Sequence, residues 1–192
     1  MSYPNQLYWD ALEPRWVNLK YSQEPDDYIF VTNYGTKLTS QNGNNGKSAN
    51  ARLKGTAPGS FKISFKLGHT WGWSSFYAAN IAGITSIESP AGGDFNRSGY
   101  NGMAFINNSS NNKLEISKGV NGTSTLLVDQ TGVDNTIISF WRHTDNVVKF
   151  RVGSANPVTV GTYTDPWVFY SIVQSPASCE ILTAHNNTRG AS

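Results

Sequence analysis

The sequence predicts an all-β protein, two antiparallel sheets packed as a sandwich in a single domain over residues 1–192, with residues 1–27 an N-terminal arm packing on it. Three observations carry that expectation. The chain holds 20 Asn and 18 Gly among 192 residues, the residue types that tolerate positive φ and close tight turns. From Gly102 onward the sequence divides into short apolar runs separated by turn chemistry, the spacing of sandwiches rather than of strand–helix units. Upstream, Phe61, Ile63, Phe65 and Leu67 alternate with Lys62, Ser64, Lys66 and Gly68, the period of a strand with one buried face. A chain of this length can bury roughly 70% of its unfolded surface.

Taken in order, QLYWDALEPRW (6–16) reads as one short helical turn before Pro14 or an irregular arm. YIFVTNY (28–34) reads as a strand ended by Gly35, and SQNGNNGKSAN (40–50) as a long exposed loop. The alternating strand from Phe61 runs into LGHTWGWSSFYAANIAG (67–83), where YAANIAGIT (77–85) reads as a strand of small residues. ESPAGGDFNRSGYNG (88–102) is a Gly-rich loop, of a length that in compact domains is usually functional. The strands GMAFIN, KLEISK, STLLVDQ, TIISFWR, VVKFRV, WVFYSIV and CEILTA follow.

One hairpin can be set in register. Residues paired across antiparallel strands share a face. Placing Phe140 opposite Phe150 requires an odd-numbered loop, Thr144-Asp145-Asn146 with Asn146 left-handed. Trp141 then points outward beside Lys149, and Ser139 stands beside Arg151. A two-residue Asp145-Asn146 turn would instead pair Trp141 with Phe150 and bury it. Keeping Lys149 and Arg151 solvated favours the first register.

The segments FINNSSNNKLEISKGVNG, TIISFWRHTDNVVKFRVG and WVFYSIVQSPASCEILTA resemble the closing strands of concanavalin A-like lectin and laminin-G-type sandwiches, over roughly residues 60 to 184. The resemblance implies two large antiparallel sheets in jelly-roll order. That superfamily includes sugar-binding modules, glycosidases and protein-binding modules, and such domains also occur in bacteriophage tail fibres and virion proteins.

Several chemistries are argued against. Charged residues are 15% of the chain and the net charge is +2, without the basic stripe that nucleic-acid binders use against phosphate. No apolar run reaches the ~18 residues that span a bilayer. Cys179 is the only cysteine, so no internal disulfide forms and an inert buried thiol is expected. The start of the chain shows no secretory signal. Cytoplasmic synthesis is therefore expected, with later release to a virion or extracellular setting compatible with it.

GNNGKS (43–48) misses the phosphate-loop pattern because Gln41 stands where Gly is required. Glycosidases of this fold class use an E-x-D-x-E strand, but Glu115 and Glu180 each stand alone on a strand, leaving only a long-range pairing such as Glu88 with Asp94. His69, His143 and His185 fit no zinc spacing. Asp94-Phe95-Asn96 offers oxygen ligands that suit calcium, yet Arg97-Ser98-Gly99-Tyr100 follows where the resembled lectins place another Asp. No cofactor is expected.

Sugar sites set exposed aromatic rings against C–H faces and ring them with amides, carboxylates and cations for the hydroxyls. On that chemistry the candidate ligand-binding residues are Trp71, Trp73, Tyr77, Asp94, Asn96, Arg97, Tyr100 and Trp141. If the Phe61 strand continued unbroken, Trp71 and Trp73 would share the parity of the core residues; Gly68 and Gly72 suggest a bulge that re-aims them. The expected function is a non-catalytic, lectin-like carbohydrate-binding module, in the setting of a phage receptor-binding or surface-exposed virion domain. Its partner would be a glycan or cell-surface polysaccharide, with no nucleic acid and no membrane, and homo-oligomers are compatible. The alternatives are a structural decoration or fibre protein and, third, a glycoside hydrolase.

Overall fold

The computed structural model describes residues 16–21, 29–32, 36–40, 48–53, 57, 59–69, 73–79, 101–108, 110–131, 134–174 and 177–187. They form fourteen strands and no helix. In chain order these are β1 (Trp16–Tyr21), β2 (Ile29–Thr32), β3 (Lys37–Ser40), β4 (Ser48–Leu53), β5 (Ser60–His69), β6 (Trp73–Ala79) and β7 (Gly102–Asn108). Then come β8 (Lys113–Val120), β9 (Thr123–Thr131), β10 (Ile137–Arg142), β11 (Val147–Val152), β12 (Val158–Thr162), β13 (Val168–Gln174) and β14 (Ala177–Asn187).

They pair antiparallel into two seven-stranded sheets. The first has the order β1-β4-β13-β6-β7-β8-β9, the second β12-β11-β10-β5-β14-β3-β2. The expected two-sheet antiparallel sandwich is what the chain forms. Within the segment read as an arm, Trp16–Tyr21 is the edge strand β1 of the first sheet.

The sheets meet over a core rich in phenylalanine. Phe61, Phe65, Phe140 and Phe150 from the second sheet interdigitate with Phe76, Phe105 and Phe169 from the first. Phe65 stacks on Phe76 with centroids 4.1 Å apart, and Phe105 meets Phe150 edge-on at 5.8 Å. Such ring pairs add about 0.5–1.5 kcal/mol each to the stabilisation from burial. Cys179 is fully buried in this layer, and desolvation pushes its thiol up to about 12, against a weaker opposing hydrogen bond with Ser171.

The turns follow the asparagine argument. All the non-glycine residues at positive φ among those described are Asn: 112, 121, 135 and 146. Asn121 (φ 47°) and Gly122 (φ 80°) join the paired residues Val120 and Thr123, the two-residue hairpin turn that needs both positions left-handed.

Four local expectations need correction. The β5 strand does not continue through the tryptophans: it ends at His69 in the second sheet, and β6 begins at Trp73 in the first. The next strand, Trp73–Ala79, therefore begins before the expected 77–85, of which residues 80–85 lie outside the described residues. Residues 48–53, partly assigned to the loop 40–50, are β4, because they pair with β1 on one side and β13 on the other. Finally, Gly68 is no bulge. It pairs regularly with Ser178, as His69 does with Ala177.

The reason for glycine at 68 is a close approach: a Cβ there would stand 2.6 Å from Asn135 Oδ1 and 3.0 Å from Ser178 Oγ. A polar latch forms around that approach. Asp134 Oδ1 accepts from the His69 backbone N–H (2.9 Å) and from Asn107 Nδ2 (3.3 Å), and Asn107 Nδ2 also donates to the Leu67 carbonyl (3.0 Å). With that amide nitrogen donating, Asn107 Oδ1 is the acceptor of its 3.1 Å contact with His69 Nε2, which fixes the proton on Nε2.

Candidate functional site

The predicted hairpin register holds residue by residue. Phe140 pairs with Phe150, Trp141 with Lys149 and Ser139 with Arg151, and Asn146 is left-handed at φ 63°. Phe140 and Phe150 are buried inward, so Trp141 stands on the outer face of the second sheet, partly exposed.

The flanking strands complete a row across that face. Trp141 pairs with Lys62 of β5, and Lys62 in turn with His185 of β14. The neighbouring row holds Arg151, Ser139, Ser64 and Thr183, with a hydroxyl pair between Ser64 and Ser139 at 2.9 Å.

His185 reaches this face because of a bulge. Cys179 and Ile181 point into the core, and simple alternation would send residues 183 and 185 inward as well. The β5–β14 register shifts between Ile181 and Thr183, leaving Leu182 as the extra, exposed residue. Ala184 then takes the buried position and His185 the outer one.

Two adjoining depressions flank Trp141. One, of about 410 Å³, is lined by Ser60, Lys62, Trp141, His143, Thr144 and His185, among others. The other, of about 270 Å³, shares Lys62, Trp141 and His143 and adds Arg151 and Pro157. The indole is thus common to two hollows, and among the described residues no carboxylate lines either.

Beneath it the floor is fixed by Arg142, which points inward and is 2% exposed. Its Nε donates to the Gly59 carbonyl (2.8 Å) and its Nη1 to the carbonyls of Tyr163 (3.1 Å) and Asp165 (2.6 Å). Nη2 donates to Ala57 O (3.4 Å) and again to Gly59 O. The guanidinium also lies 5.5 Å from the Phe61 ring centroid. Burial lowers its pKa, with the charge of Asp165 opposing. One side chain therefore ties Ala57 and Gly59 to Tyr163 and Asp165 under the outer face.

Of the other candidates, Tyr77 is corrected. It is 3% exposed and stacks on Tyr170 with centroids 5.2 Å apart and planes 18° from parallel. With Ala104, Val168 and Ile172 it belongs to a second buried cluster on the outer face of the first sheet, the opposite side of the sandwich from Trp141. A strand buried on both faces defeats the rule that alternate residues reach solvent. Trp73 opens β6 paired with Asn108. Trp71, Asp94, Asn96, Arg97 and Tyr100 lie outside the described residues, as does the Glu88–Asp94 pairing. The site around Trp141 thus draws on residues absent from the sequence-derived set: Lys62, His143, Arg151 and His185.

Glu115 is the one carboxylate of β8, and it pairs across the ladder with Asp129 of β9. Asp129 is held by Lys113 at 2.7 Å, which raises the pKa of that lysine, and Glu115 Oε1 accepts from Asn111 Nδ2 at 3.5 Å. Neither carboxylate lines the two depressions. No group of three or more His, Cys, Asp or Glu among the described residues is placed to hold a metal.

No protein-family model matches the chain. No curated sequence matches it either. Solved structures do match, at the level of fold. A legume lectin-like domain from Entamoeba histolytica superposes with a TM-score of 0.55 at 12% identity, covering 96% of this chain and 98% of that one. A β-glucanase from Bacillus licheniformis gives 0.53 at 12% identity, over 89% and 92%. The SPRY domain of human HERC1 gives 0.52 at 10% identity, over 95% and 99%. The fold is that of the concanavalin A-like sandwiches.

Proposed function

We propose that this chain is a non-catalytic carbohydrate-binding module whose contact surface is the outer face of the second sheet, centred on Trp141. The observation that carries this reading is the partly exposed indole between two depressions, ringed by side chains that donate hydrogen bonds. Sugar C–H faces pack on such a ring while Lys62, Arg151 and His185 meet hydroxyl oxygens. A fold shared with a lectin-like domain and a glucanase supports it without deciding it.

The test is a broad glycan array probed with the wild-type chain and a Trp141→Ala variant, both checked for the same melting curve. Selective binding that the variant loses is expected. Selective binding that survives Trp141→Ala would move the site elsewhere, and no binding to any glycan would remove the proposal.

One observation favours a second reading, a structural subunit that assembles through a sheet edge. Strand β9 ends the first sheet among the described residues and exposes Leu126 at 55%, and open edges are templates for pairing. Light scattering decides here: an oligomer dispersed by Leu126→Lys supports assembly through β9, and a monomer at high concentration rejects it.

A further inference from the structure

Resting on the carbohydrate reading, we infer that the Trp141 face selects acidic polysaccharide, a chain bearing carboxylate or sulfate groups, over neutral glycan. The inference follows from the sign of the charges around the indole. Lys149, Trp141, Lys62 and His185 occupy successive strands in one row, and Arg151 stands in the next. Lys62 and Arg151 are exposed and Lys149 is half-buried.

Adjacent strands lie about 4.8 Å apart. The two lysines therefore flank the indole at one strand spacing on either side, and a sugar stacked on the ring has its substituents within reach of a cation from both.

Among the described residues these cations have no paired counter-charge: none of Lys62, Lys149 and Arg151 forms a salt bridge, and neither depression has an acidic lining residue. Two carboxylates of the described residues on neighbouring elements have other partners. Asp145, at the tip of the β10–β11 hairpin, accepts from the Val147 N–H at 3.0 Å, and Glu180 stands in register between Lys37 and Lys66, beyond the Arg151 row.

The cations can meet the hydroxyls of a neutral glycan, as amides also can, whereas a carboxylate or sulfate adds the attraction of opposite charges to each of those hydrogen bonds. A nucleic acid is the poorer fit. Single strands are bound by several aromatic rings along a basic groove, and here, among the described residues, one indole lines the depressions with the hydroxyl residues Ser60 and Thr144.

The experiment is titration of the folded chain with polygalacturonate, dextran sulfate, neutral dextran and single-stranded oligo-dT, following tryptophan fluorescence at several salt concentrations. The variants are Trp141→Ala, Lys62→Gln and Arg151→Gln, whose side chains lie outside the core. Binding to polygalacturonate or dextran sulfate is expected, falling with salt and absent for dextran. Lys62→Gln and Arg151→Gln should each weaken it about tenfold and flatten the salt dependence, because each removes one cation, while Trp141→Ala abolishes it.

The two acidic arms identify the anionic group. Binding of dextran, or of a neutral glycan on the array, that depends on Trp141 without any acidic preference would overturn this inference and leave the carbohydrate reading intact. Equal Trp141-dependent affinity for oligo-dT would overturn the choice of polysaccharide. Acidic binding indifferent to Trp141 would remove the stacking site, and no binding in any arm or on the array would remove both readings.

Discussion

Replacing Arg142 by methionine keeps most of the aliphatic stem while deleting the donors that hold four backbone carbonyls. A hydrogen bond to a charged group contributes about 1.5–3 kcal/mol, and an abandoned buried acceptor costs about 1–3 kcal/mol. The Gly59, Tyr163 and Asp165 carbonyls make the shorter contacts, so the low end of that range for three bonds gives roughly 4–5 kcal/mol. Those contacts are only part-buried, and relief of the desolvated charge offsets some of the loss. A net destabilisation of about 3–4 kcal/mol is expected.

For a chain of this size that corresponds to a fall in Tm of roughly 10 °C. Urea unfolding monitored by tryptophan fluorescence measures it, with the slope against denaturant showing whether the transition stays two-state. Arg142→Lys should recover only part of the loss, because one ammonium cannot serve carbonyls on both segments. A loss below about 1 kcal/mol for Arg142→Met would refute the reasoning, since the carbonyls would then be satisfied without the guanidinium.

Two further outcomes follow from buried groups. Cys179, with its thiol raised to about 12, should resist thiol reagents in the folded chain at pH 8 and react fully in urea. The same shift makes stability pH-dependent: below the ordinary value of 9.0 both states hold the proton. As pH rises from there towards about 12, only the unfolded thiol ionises and stability falls. Cys179→Ala should flatten that alkaline slope, and an unchanged slope would show the thiol is not the cause. Gly68→Ala should cost about 1–3 kcal/mol through overpacking against Asn135. Asn135→Gly, which suits the φ of 57°, should restore much of it, and strict additivity in the double-mutant cycle would rule out the clash.

How much was legible depended on how many faces of a strand are wet. The β10–β11 hairpin could be set because Lys149 and Arg151 had to stay solvated, and that single condition sent Trp141 outward. Tyr77 could not be placed the same way. β6 and β13 are buried on both faces around Tyr77 and Tyr170, and the run VFYSIV carries that as continuous apolarity, not alternation. Strands β3, β4 and β12 (KLTS, SANARL, VTVGT) are short and weakly apolar. Only β4 depends wholly on partners distant in sequence, β1 and β13; weak apolarity left residues 37–39, 51–53 and 158–162 unassigned, and residues 48–50 fell in the expected loop. The change of sheet between His69 and Trp73 was hidden because aromatic parity persists across it. Gly68 was visible as a special position, but its cause, Asn135 across the fold, was not.

The extra residue in β14 has a consequence best seen as a reading frame. Upstream of Leu182 the strand is read with Cys179 and Ile181 facing the core; downstream it is read one step out of phase, with Ala184 inside and His185 outside. The bulge therefore decides which of two residue sets the sandwich shows to its surroundings, while every β10 residue stays as it is. Deleting Leu182 would leave that choice intact, because Thr183, Ala184 and His185 would still stand opposite Ser64, Ile63 and Lys62. Straightening the strand with Leu182 retained would be the frameshift in facing, placing Leu182 opposite Ser64, Thr183 at the core opposite Ile63 and Ala184 outside.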